Sequence, residues 1–313
     1  MGRKKKGNPV HGWVIIDKAA GIGSTPIVGK ARRALNAQKA GHGGTLDPFA
    51  TGLLPLAFGE ATKSVSYVMD GIKTYQFTLK FGEVTDTLDL EGEVVAKSGQ
   101  RPTEKEMLAA IPQFVGNIEQ VPPKFSALKI DGKRAYDLAR AGEEVEMKSR
   151  PAYVKEIKLI KVIDADHAFF EVTCGKGFYV RSLGRDLAEA MGTVGHLTTL
   201  RRTKIGPFEE KDAILLEDFE KKAHNAAEFG ELLLPIEAAL DGIPALSLEE
   251  GEALRLRNGQ AVTLLRKVDL ERIADLKDGD TALALFKKRA LALVTYSKGE
   301  IKPTRVFVYQ DTV

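Results

Sequence analysis

The chain has 313 residues, of which 43% are hydrophobic and 28% charged, a composition typical of a folded globular protein and not of a disordered one. Its one cysteine, Cys174, excludes an internal disulfide, and no apolar run is long enough for a signal core or a membrane span. We therefore expect a cytoplasmic protein without a membrane partner, with one large domain and a smaller one.

Charge is distributed unevenly along the chain, although the net charge is only +3. Residues 1–40 hold nine Lys and Arg against one Asp, residues 211–250 hold three basic against ten acidic residues, and residues 251–313 hold twelve against eight. Clustered positive charge attracts a phosphate backbone, although a Lys-rich terminus is more often a solvated tail. We interpret residues 1–10 as a basic, flexible tail.

The first predicted elements are a strand and a helix. Residues 13–16, Trp-Val-Ile-Ile, form an apolar run typical of a short buried strand, and residues 17–21 form the turn that ends it. A helix follows, capped by Ser24 or Thr25, because apolar residues then recur at helical spacing as far as Leu35.

Residues 41–52, Gly-His-Gly-Gly-Thr-Leu-Asp-Pro-Phe-Ala-Thr-Gly, have the composition of a loop. Four glycines and Pro48 interrupt regular structure and allow the backbone to approach a bulky ligand. The loop carries an imidazole, His42, and a carboxylate, Asp47, whose proline neighbour biases its backbone away from helix. Asp47 is either a carboxylate presented to a ligand or the start of an Asp-Pro turn, and composition does not decide between them.

The middle of the chain alternates between strands and helices. Residues 74–81 alternate apolar and polar side chains and predict a half-buried strand, in which periodicity alone favours a core role for Tyr75. A capping box at 103–106 predicts a short helix that ends near Pro112. Further strands are predicted at 153–163 and 168–174, and a helix around 183–191.

The last third of the chain predicts a separate small domain. An acidic, helix-prone connector at 211–241 leads to a boundary near Pro244. Residues 247–250 can cap a helix that runs through Leu256. Short β-rich runs at 261–265, 282–286, 290–296 and 304–309 then suggest a small barrel.

Several kinds of chemistry are poorly supported by the sequence. The five histidines lack His-Glu-x-x-His spacing and the cysteine stands alone, so that no metal site is indicated. No phosphate-binding Gly-x-x-x-x-Gly-Lys-Ser/Thr loop, dinucleotide fingerprint or Gly-x-Ser-x-Gly elbow occurs. One carboxylate acting on its own remains as the simplest candidate.

The pattern Gly-His-x-Gly-Thr-Leu-Asp-Pro-x-Ala-Thr-Gly resembles the signature of the TruB family of tRNA pseudouridine synthases. Two positions depart from the family pattern: Gly43 replaces a Thr or Ser, and Ala19 replaces the Pro after Lys18. These departures concern the stiffness of the loop and not the acid. The resemblance continues at 59–63 (Gly-Glu-Ala-Thr-Lys), 73–75 (Lys-Thr-Tyr), 121–129 (Val-Pro-Pro-Lys-Phe-Ser-Ala-Leu-Lys), 175–182 (Gly-Lys-Gly-Phe-Tyr-Val-Arg-Ser) and 197–208, and so spans most of residues 11–208.

The resemblance implies an α+β protein with the pseudouridine-synthase fold, in which helices and loops flank a mixed, largely antiparallel sheet. Residues 11–242 would form the catalytic domain, and residues 117–152 an insertion that closes over RNA. Residues 302–308 resemble the last strand of PUA-type RNA-binding domains. Residues 243–313 would therefore form a small PUA-like β-barrel.

The resemblance also implies the active-site residues. Asp47 would be the nucleophile, attacking a flipped uridine at ring C6 or sugar C1′ without a cofactor. Arg181, which in isolation would be read as a surface charge, would keep Asp47 ionised through a bidentate contact. Tyr75 would stack on the base and help to remove the C5 proton. The substrate-binding residues implied are His42, Leu200, Tyr179, Lys18 and Lys63, with Leu200 in the pocket wall and the two lysines as phosphate contacts.

The implied substrate is the uridine at position 55 in the T stem-loop of tRNA, with the protein acting as a monomer without guide RNA. Two alternatives stay open at this point. The chain could be a non-catalytic RNA-binding or tRNA-folding protein that uses the same cleft, or a guide-dependent enzyme like the related archaeal and eukaryotic ones. Residues 50–55 and 121–129 look like the bacterial stand-alone branch.

Overall fold

Apolar strands build one ten-stranded mixed sheet in the larger part of the molecule. The computed structural model describes residues 7–126, 128–130, 133–134 and 147–309. The strands, in chain order, are β1 (Gly12–Lys18), β2 (Ala40–His42), β3 (Thr51–Phe58), β4 (Lys73–Phe81), β5 (Glu83–Thr85), β6 (Val94–Lys97), β7 (Gly116–Gln120), β8 (Lys129–Ile130), β9 (Lys133–Arg134), β10 (Arg150–Val162), β11 (His167–Cys174), β12 (Gly195–Ile205), β13 (Phe208–Glu209), β14 (Ala213–Leu215), β15 (Ala245–Ser247), β16 (Val262–Thr263), β17 (Thr281–Phe286), β18 (Arg289–Ser297) and β19 (Glu300–Val306).

The large sheet has the order β14-β1-β3-β12-β4-β11-β10-β7, with β2 beside β3 and β13 beside β12. The pairs β1–β14 and β3–β12 are parallel and the other pairs are antiparallel. The predicted mixed, largely antiparallel sheet is therefore confirmed. The helices are α1 (Ser24–Ala34), α2 (Val65–Asp70), α3 (Glu104–Ala110), α4 (Val180–Ala190), α5 (Leu216–Lys222), α6 (Ala226–Leu232), α7 (Glu250–Arg257) and α8 (Lys267–Arg272).

The start of α1 differs from the prediction. Its N-cap is Gly23, without a side-chain cap. The hydroxyl of Ser24 instead donates to the carbonyl oxygen of Leu46 at 2.9 Å and accepts from the Leu46 amide at 2.8 Å. The residue expected to cap the helix thus fastens the loop that precedes β3.

Strand β3 was not predicted, because Gly52 and Pro55 punctuate an apolar run that lacks alternation. The strand is buried from Gly52 to Phe58 and lies between β1 and β12. Strands covered on both faces have continuous apolar sequences rather than alternating ones. Pro55 pairs with Ile15 of β1, and its carbonyl oxygen accepts a hydrogen bond from the Gly43 amide at 2.8 Å.

The main core lies under β4, β11 and β12, where α4 covers the sheet. Phe77 of β4 stacks on Phe170 of β11 with ring centroids 5.5 Å apart, and both are fully buried. Leu183 and Leu187 of α4 belong to the same apolar cluster. Tyr75 lies two residues before Phe77 on the same face of β4. The core therefore fixes the position of Tyr75 near the start of this strand.

The C-terminal part forms the expected small β structure. Its five-stranded sheet has the order β15-β17-β18-β19-β16, and α7 packs on β18 and β19. The cap of α7 is a box of Glu249 and Glu252 rather than Ser247. The last strand covers residues 300–306, earlier than the predicted 304–309.

The apolar core is continuous across the predicted domain boundary at residue 242. One cluster contains Trp13, Ile15 and Leu53 of the large sheet together with Leu293 and Phe307 of the small one. The large sheet and the C-terminal sheet therefore share part of their hydrophobic core.

Three sequence predictions fall partly outside the described residues. The predicted insertion at 117–152 includes residues 127, 131–132 and 135–146, the predicted tail includes residues 1–6, and the predicted C-terminal domain includes residues 310–313. Within the described ranges, no helix is both long and apolar enough to cross a membrane.

Candidate active site

A cavity of about 290 Å³ opens at the end of β4 and β12, beside the N-terminus of α4. The half-exposed side chain of Asp47 lies in its wall. The lining residues are Gly44, Thr45, Leu46, Asp47, Met69, Lys73, Tyr75, Ser126, Gly175, Gly177, Phe178, Tyr179, Val180, Arg181, Leu200 and Arg202. The cavity thus brings together five residues predicted from the sequence, namely Asp47, Tyr75, Tyr179, Arg181 and Leu200.

Arg181 is shared between two carboxylates. Its Nη2 atom lies 2.8 Å from Oδ2 of Asp47, and its Nη1 atom lies 3.3 Å from Oδ2 of Asp89. The same two nitrogens donate to the carbonyl oxygens of Phe125 and Thr87, each at 2.8 Å. The guanidinium is 6% exposed and Asp47 is 39% exposed. The expected bidentate contact with Asp47 alone is therefore replaced by a bridge that fixes Asp47 against a buried partner.

Asp89 is the buried member of this bridge. Its carboxylate accepts hydrogen bonds from the Thr87 hydroxyl at 2.6 Å and from the Glu91 amide at 3.0 Å. Burial raises the pKa of Asp89, and the hydrogen bond from Thr87 and the charge of Arg181 oppose that rise. Arg181 thus offsets part of the cost of burying this carboxylate.

Lys18, the last residue of β1, binds the backbone of the loop that carries Asp47, between β2 and β3. It is 1% exposed, and its ammonium donates to the carbonyl oxygens of Ala19 at 2.9 Å, Pro48 at 2.9 Å and Ala50 at 2.5 Å. Burial lowers the pKa of Lys18 to about 8, although the nearby charge of Asp47 raises it. The ammonium donates to three carbonyl oxygens within the protein, which argues against the phosphate contact expected for Lys18.

Arg202 is a second buried cation beneath the loop. It is 1% exposed, and its guanidinium donates to the carbonyl oxygens of Leu53 at 2.8 Å and Gly44 at 2.9 Å. No carboxylate among the described residues forms an ion pair with it. Gly52, at φ +95°, pairs with Arg202 across β3 and β12, and a Cβ there would lie 2.2 Å from the Arg202 carbonyl oxygen. Glycine is therefore required at this position.

Tyr75 and Arg202 face each other across β4 and β12. Burial raises the pKa of Tyr75, while the charge of Arg202 opposes the rise. Leu200 pairs with Phe77 one step further along the same strands, and both Leu200 and Tyr75 line the cavity. The phenol thus stands between an apolar wall and a fixed cation.

Lys73 precedes Tyr75 on the same face of β4. Its ammonium donates to the carbonyl oxygens of Met69 and Gly71, the second at 2.7 Å, and burial lowers its pKa to about 8. Lys73 therefore ties the start of β4 to the last turn of α2 and to the residue that follows this helix.

Tyr179 is the N-cap residue of α4. Its backbone is held at both ends by the side-chain amide of Gln120, which accepts from the Tyr179 amide at 2.8 Å and donates to its carbonyl oxygen at 3.1 Å. This clamp joins β7 to the helix that presents Arg181.

His42 and Lys63 do not line the cavity. His42 is half-buried in β2, its Nδ1 atom accepts from the Gly44 amide at 3.4 Å, and burial lowers its pKa. The Lys63 ammonium contacts Glu60 at 2.5 Å and donates to the Val306 carbonyl oxygen at 2.6 Å. Lys63 therefore lies at the junction with the C-terminal sheet, which argues against the expected phosphate contact.

Four residues of this site were not predicted from the sequence. Arg202 could have been found, because Leu200 and Arg202 share one face of a strand and one of two adjacent arginines must face inward. Asp89 stands in an acidic stretch, residues 86–93, which composition reads as surface. Lys73 and Ser126 lie in quoted family motifs and carried no separate signal.

Several curated proteins are similar to this chain over nearly its whole length. The tRNA pseudouridine synthase B of Caulobacter vibrioides is 49% identical over 309 residues, which cover 98% of this chain and 99% of that protein. That of Dinoroseobacter shibae is 50% identical over 307 residues, covering 98% of both. The chain belongs to the TruB family. The model for the TruB family pseudouridylate synthase (N terminal domain) matches residues 32–180, and the model for the tRNA pseudouridylate synthase B C-terminal domain matches residues 181–241.

Solved structures share the fold of this TruB family member. A chain of an H/ACA RNP bound to a substrate RNA containing 2'-deoxyuridine superposes with a TM-score of 0.73 at 21% identity, covering 99% of this chain and 92% of that one. A chain of a Cbf5-Nop10-Gar1 complex gives a TM-score of 0.72 at 25% identity, covering 96% and 86%. The expected pseudouridine-synthase fold with a PUA-like C-terminal part is confirmed.

Proposed function

We propose that this chain isomerises uridine 55 in the T loop of tRNA to pseudouridine. The names of the relatives, each a tRNA pseudouridine synthase B, support the substrate class and the reaction. The observation that carries the proposal is the Asp47–Arg181 pair, placed in a cavity of this TruB family member. A flipped uridine would enter that cavity, because its glycosidic bond is out of reach while the base is stacked.

Asp47 is the nucleophile of the proposed reaction. Its carboxylate forms a bond to ring C6 or to sugar C1′, and the bond between N1 and C1′ breaks. The freed base turns within the cavity, C5 bonds to C1′, and the bond to Asp47 breaks with return of its electron pair to the carboxylate. The C5 proton leaves while N1 gains a proton. The product has the same atoms as the substrate, so that neither an oxidant nor an energy source enters the balance.

Arg181 orients the attacking carboxylate. Because Asp89 and two backbone carbonyls hold the guanidinium from the other side, its position does not depend on Asp47. Asp47 can then leave the ion pair for its bond to the substrate without the arginine moving. Such a preorganised group lowers the cost of rearrangement in the transition state.

Tyr75 and Leu200 bound the base. Tyr75 stacks on the uracil ring and, as the phenolate that the neighbouring charge of Arg202 favours, helps to accept the C5 proton and becomes the neutral phenol. Leu200 supplies an apolar wall. Tyr179, at the start of α4, contacts the nucleotide on the opposite side, and His42 props the space that the displaced base leaves.

Residues 11–242 form the catalytic domain in this proposal, and residues 243–313 grip tRNA phosphates away from the flipped base. The second segment supports this role by its twelve basic residues within 251–313. We propose that the enzyme acts as a cytoplasmic monomer without guide RNA. The matches to the relatives named for tRNA cover 98–99% of those proteins at 49–50% identity. The chains of the H/ACA RNP and of the Cbf5-Nop10-Gar1 complex are only 21–25% identical, which favours the stand-alone enzyme.

The decisive experiment is tritium release from C5-labelled uridine in unmodified tRNA, with the protein alone. We expect release from uridine 55 and from no other uridine of the transcript. A protein that binds tRNA without release would be the non-catalytic alternative. Release that required an added guide RNA would indicate the guide-dependent alternative.

A further inference from the structure

One buried hydroxyl in the cavity wall has no partner within the protein. Ser126 is 4% exposed, and its Oγ is one of three buried side-chain polar atoms that lack a hydrogen bond in the part of the chain that the structure describes. The other two, His11 Nε2 and Trp13 Nε1, do not line the cavity. Buried polar groups are nearly always hydrogen-bonded, so an orphan in a cavity points to a missing ligand.

The position of Ser126 is tied to that of Asp47. The residue before it, Phe125, accepts a hydrogen bond at 2.8 Å from Arg181 Nη2, the same atom that contacts Asp47. The Ser126 amide itself donates to the Lys124 carbonyl oxygen at 3.1 Å. Backbone contacts of residues 125 and 126 thus fix the position of the Ser126 hydroxyl relative to the Arg181 guanidinium, which also contacts Asp47. The Ser126 side chain takes no part in these contacts.

The charged side chains in the wall also bond within the protein. Lys73 and Arg202 donate to backbone carbonyl oxygens, and Arg181 is bonded to two carbonyls and two carboxylates. A base that enters the cavity brings two ring carbonyl oxygens, which also need donors once water is excluded. The Ser126 hydroxyl is available to one of them.

Both possible routes of the reaction place negative charge on the same ring oxygen. Attack at C6 moves electrons through C5 and C4 to O4, whereas departure of the base from C1′ gives a uracil anion whose charge is shared by O2 and O4. A donor to O4 is therefore favoured whichever route operates. Donors aimed at an oxygen that gains charge stabilise the transition state more than the ground state.

We propose that the Ser126 hydroxyl donates a hydrogen bond to O4 of the flipped uracil and stabilises the charge that O4 gains. The inference rests on the proposed function, since it requires a uracil ring in the cavity. It makes Ser126 a substrate-contacting residue of the reaction, and it accounts for a buried hydroxyl that the protein leaves unpaired.

The test compares Ser126→Ala with the unchanged protein on two tRNA substrates, one with uridine and one with 4-thiouridine at the target position. Sulfur is a weak acceptor, so replacing O4 removes the proposed bond from the substrate side. We expect Ser126→Ala to lower the single-turnover rate on uridine by about 10- to 100-fold at saturating enzyme. On 4-thiouridine the same substitution should change the rate by less than about 3-fold.

Ser182→Ala is the matched control, because the Ser182 hydroxyl is buried and donates to the Val121 carbonyl oxygen at 2.8 Å. It disturbs the segment that carries Ser126 without touching the base, so any loss should be equal on both substrates. Equal losses on both substrates for Ser126→Ala, or no loss on uridine, would overturn the inference. If the unchanged protein forms no pseudouridine, the proposed function fails instead, and the two failures are distinguishable.

Discussion

Arg181 owes its place to four contacts, only one of which is to Asp47. A guanidinium can meet this demand because its donors form a rigid planar fork, whereas an ammonium is a point charge on a flexible stem. The carboxylate Asp89 and the carbonyls of Thr87 and Phe125 would each lose a donor if the fork were removed. At the residue scale, the active site is therefore a shared charge network rather than a pair.

We expect Asp47→Asn to abolish pseudouridine formation while tRNA binding stays within a few-fold. The amide keeps the shape of the side chain but is not a nucleophile. Single-turnover assays and a binding titration on the same tRNA check this. Substantial residual turnover would remove Asp47 from the chemistry.

Arg181→Lys should reduce kcat/KM by an amount that corresponds to roughly 3–5 kcal/mol, as when one partner of a buried charge pair is truncated. Arg185→Lys is the control, since Arg185 lies on the same helix, pairs with Asp186 and does not line the cavity. It should retain most of the activity. An unimpaired Arg181→Lys variant would show that the bridge is not needed.

Lys18 predicts a pH-dependent stability. The unfolded chain keeps its proton up to about pH 10.5, whereas the folded chain releases it near pH 8. Between these values the unfolded state binds more protons, so the free energy of unfolding rises with pH, by at most about 1.4 kcal/mol per unit. Urea titrations from pH 7 to 10 should show this gain relative to Lys18→Met, which cannot titrate. Parallel curves for the two proteins would contradict it.

Most residues that line the cavity could be predicted from the sequence, because they lie in long, specific motifs. The contacts that these residues make could not be predicted. Lys18 was expected to meet phosphate, but a lysine at a strand end can equally turn under a loop, and only the fold decides this. Asp89 pairs with Arg181 across 92 positions of sequence, which no local pattern encodes.

At the scale of elements, the loop between β2 and β3 is the part whose shape determines the site. Ser24 fastens Leu46, Lys18 fastens Pro48 and Ala50, and Arg202 fastens Gly44. Asp47 lies between these anchors. This loop, which contains Gly43 and Gly44, is thus fastened by side chains from three other elements.

Ser24→Ala should lower the free energy of unfolding by about 1–3 kcal/mol, because it leaves the Leu46 amide and carbonyl without their partner. It should also lower kcat, since Leu46 precedes Asp47. Ser64→Ala is the control: Ser64 is buried and bonds to the Ala61 carbonyl oxygen, away from the loop. Thermal unfolding and single-turnover rates check both. A loss of kcat in the control as large as in Ser24→Ala would sink the argument.

Helices and strands could be predicted from the sequence where one of their faces packs on the core and the other faces solvent. The alternation of residues 74–81 gave β4, and the capping box at Thr103 gave α3. Strand β3 has no polar face, so its sequence carries no period. Strand β14 was also not predicted, because it lies in the acidic connector at 211–241. This strand pairs with β1 and extends the sheet at its edge. These elements are defined by their neighbours rather than by their own sequence.

At the scale of the whole molecule, the two sheets share one apolar cluster, so removal of residues 243–313 would take Leu283, Leu293 and Phe307 out of that cluster. A truncated chain would therefore mix weaker RNA binding with a loss of stability. Surface charges provide a cleaner test of the proposed RNA grip. Arg257 and Lys287 are exposed and lie over the ring of Phe286, 5.6 Å and 5.3 Å from its centroid.

The double variant Arg257→Gln and Lys287→Gln should weaken tRNA binding and reduce the slope of log Kd against log salt by roughly one for each phosphate that is no longer neutralised. Single-turnover conversion at saturating enzyme should not change. Lys211→Gln with Lys221→Gln removes the same charge from the acidic connector and is the control. An unchanged salt slope in the first pair would mean that this surface does not bind the backbone of tRNA.

The apolar cluster to which Trp13 and Phe307 both belong also limits how such a protein can evolve. A module joined by a linker can be exchanged by recombination, because its partner does not register the change. Here Lys63 and Glu60 bond to the backbone of residues 306 and 308, and the strands behind them share a core. A foreign C-terminal segment would have to bring matching apolar residues and a matching strand edge, so we expect neither part to be exchanged without the other.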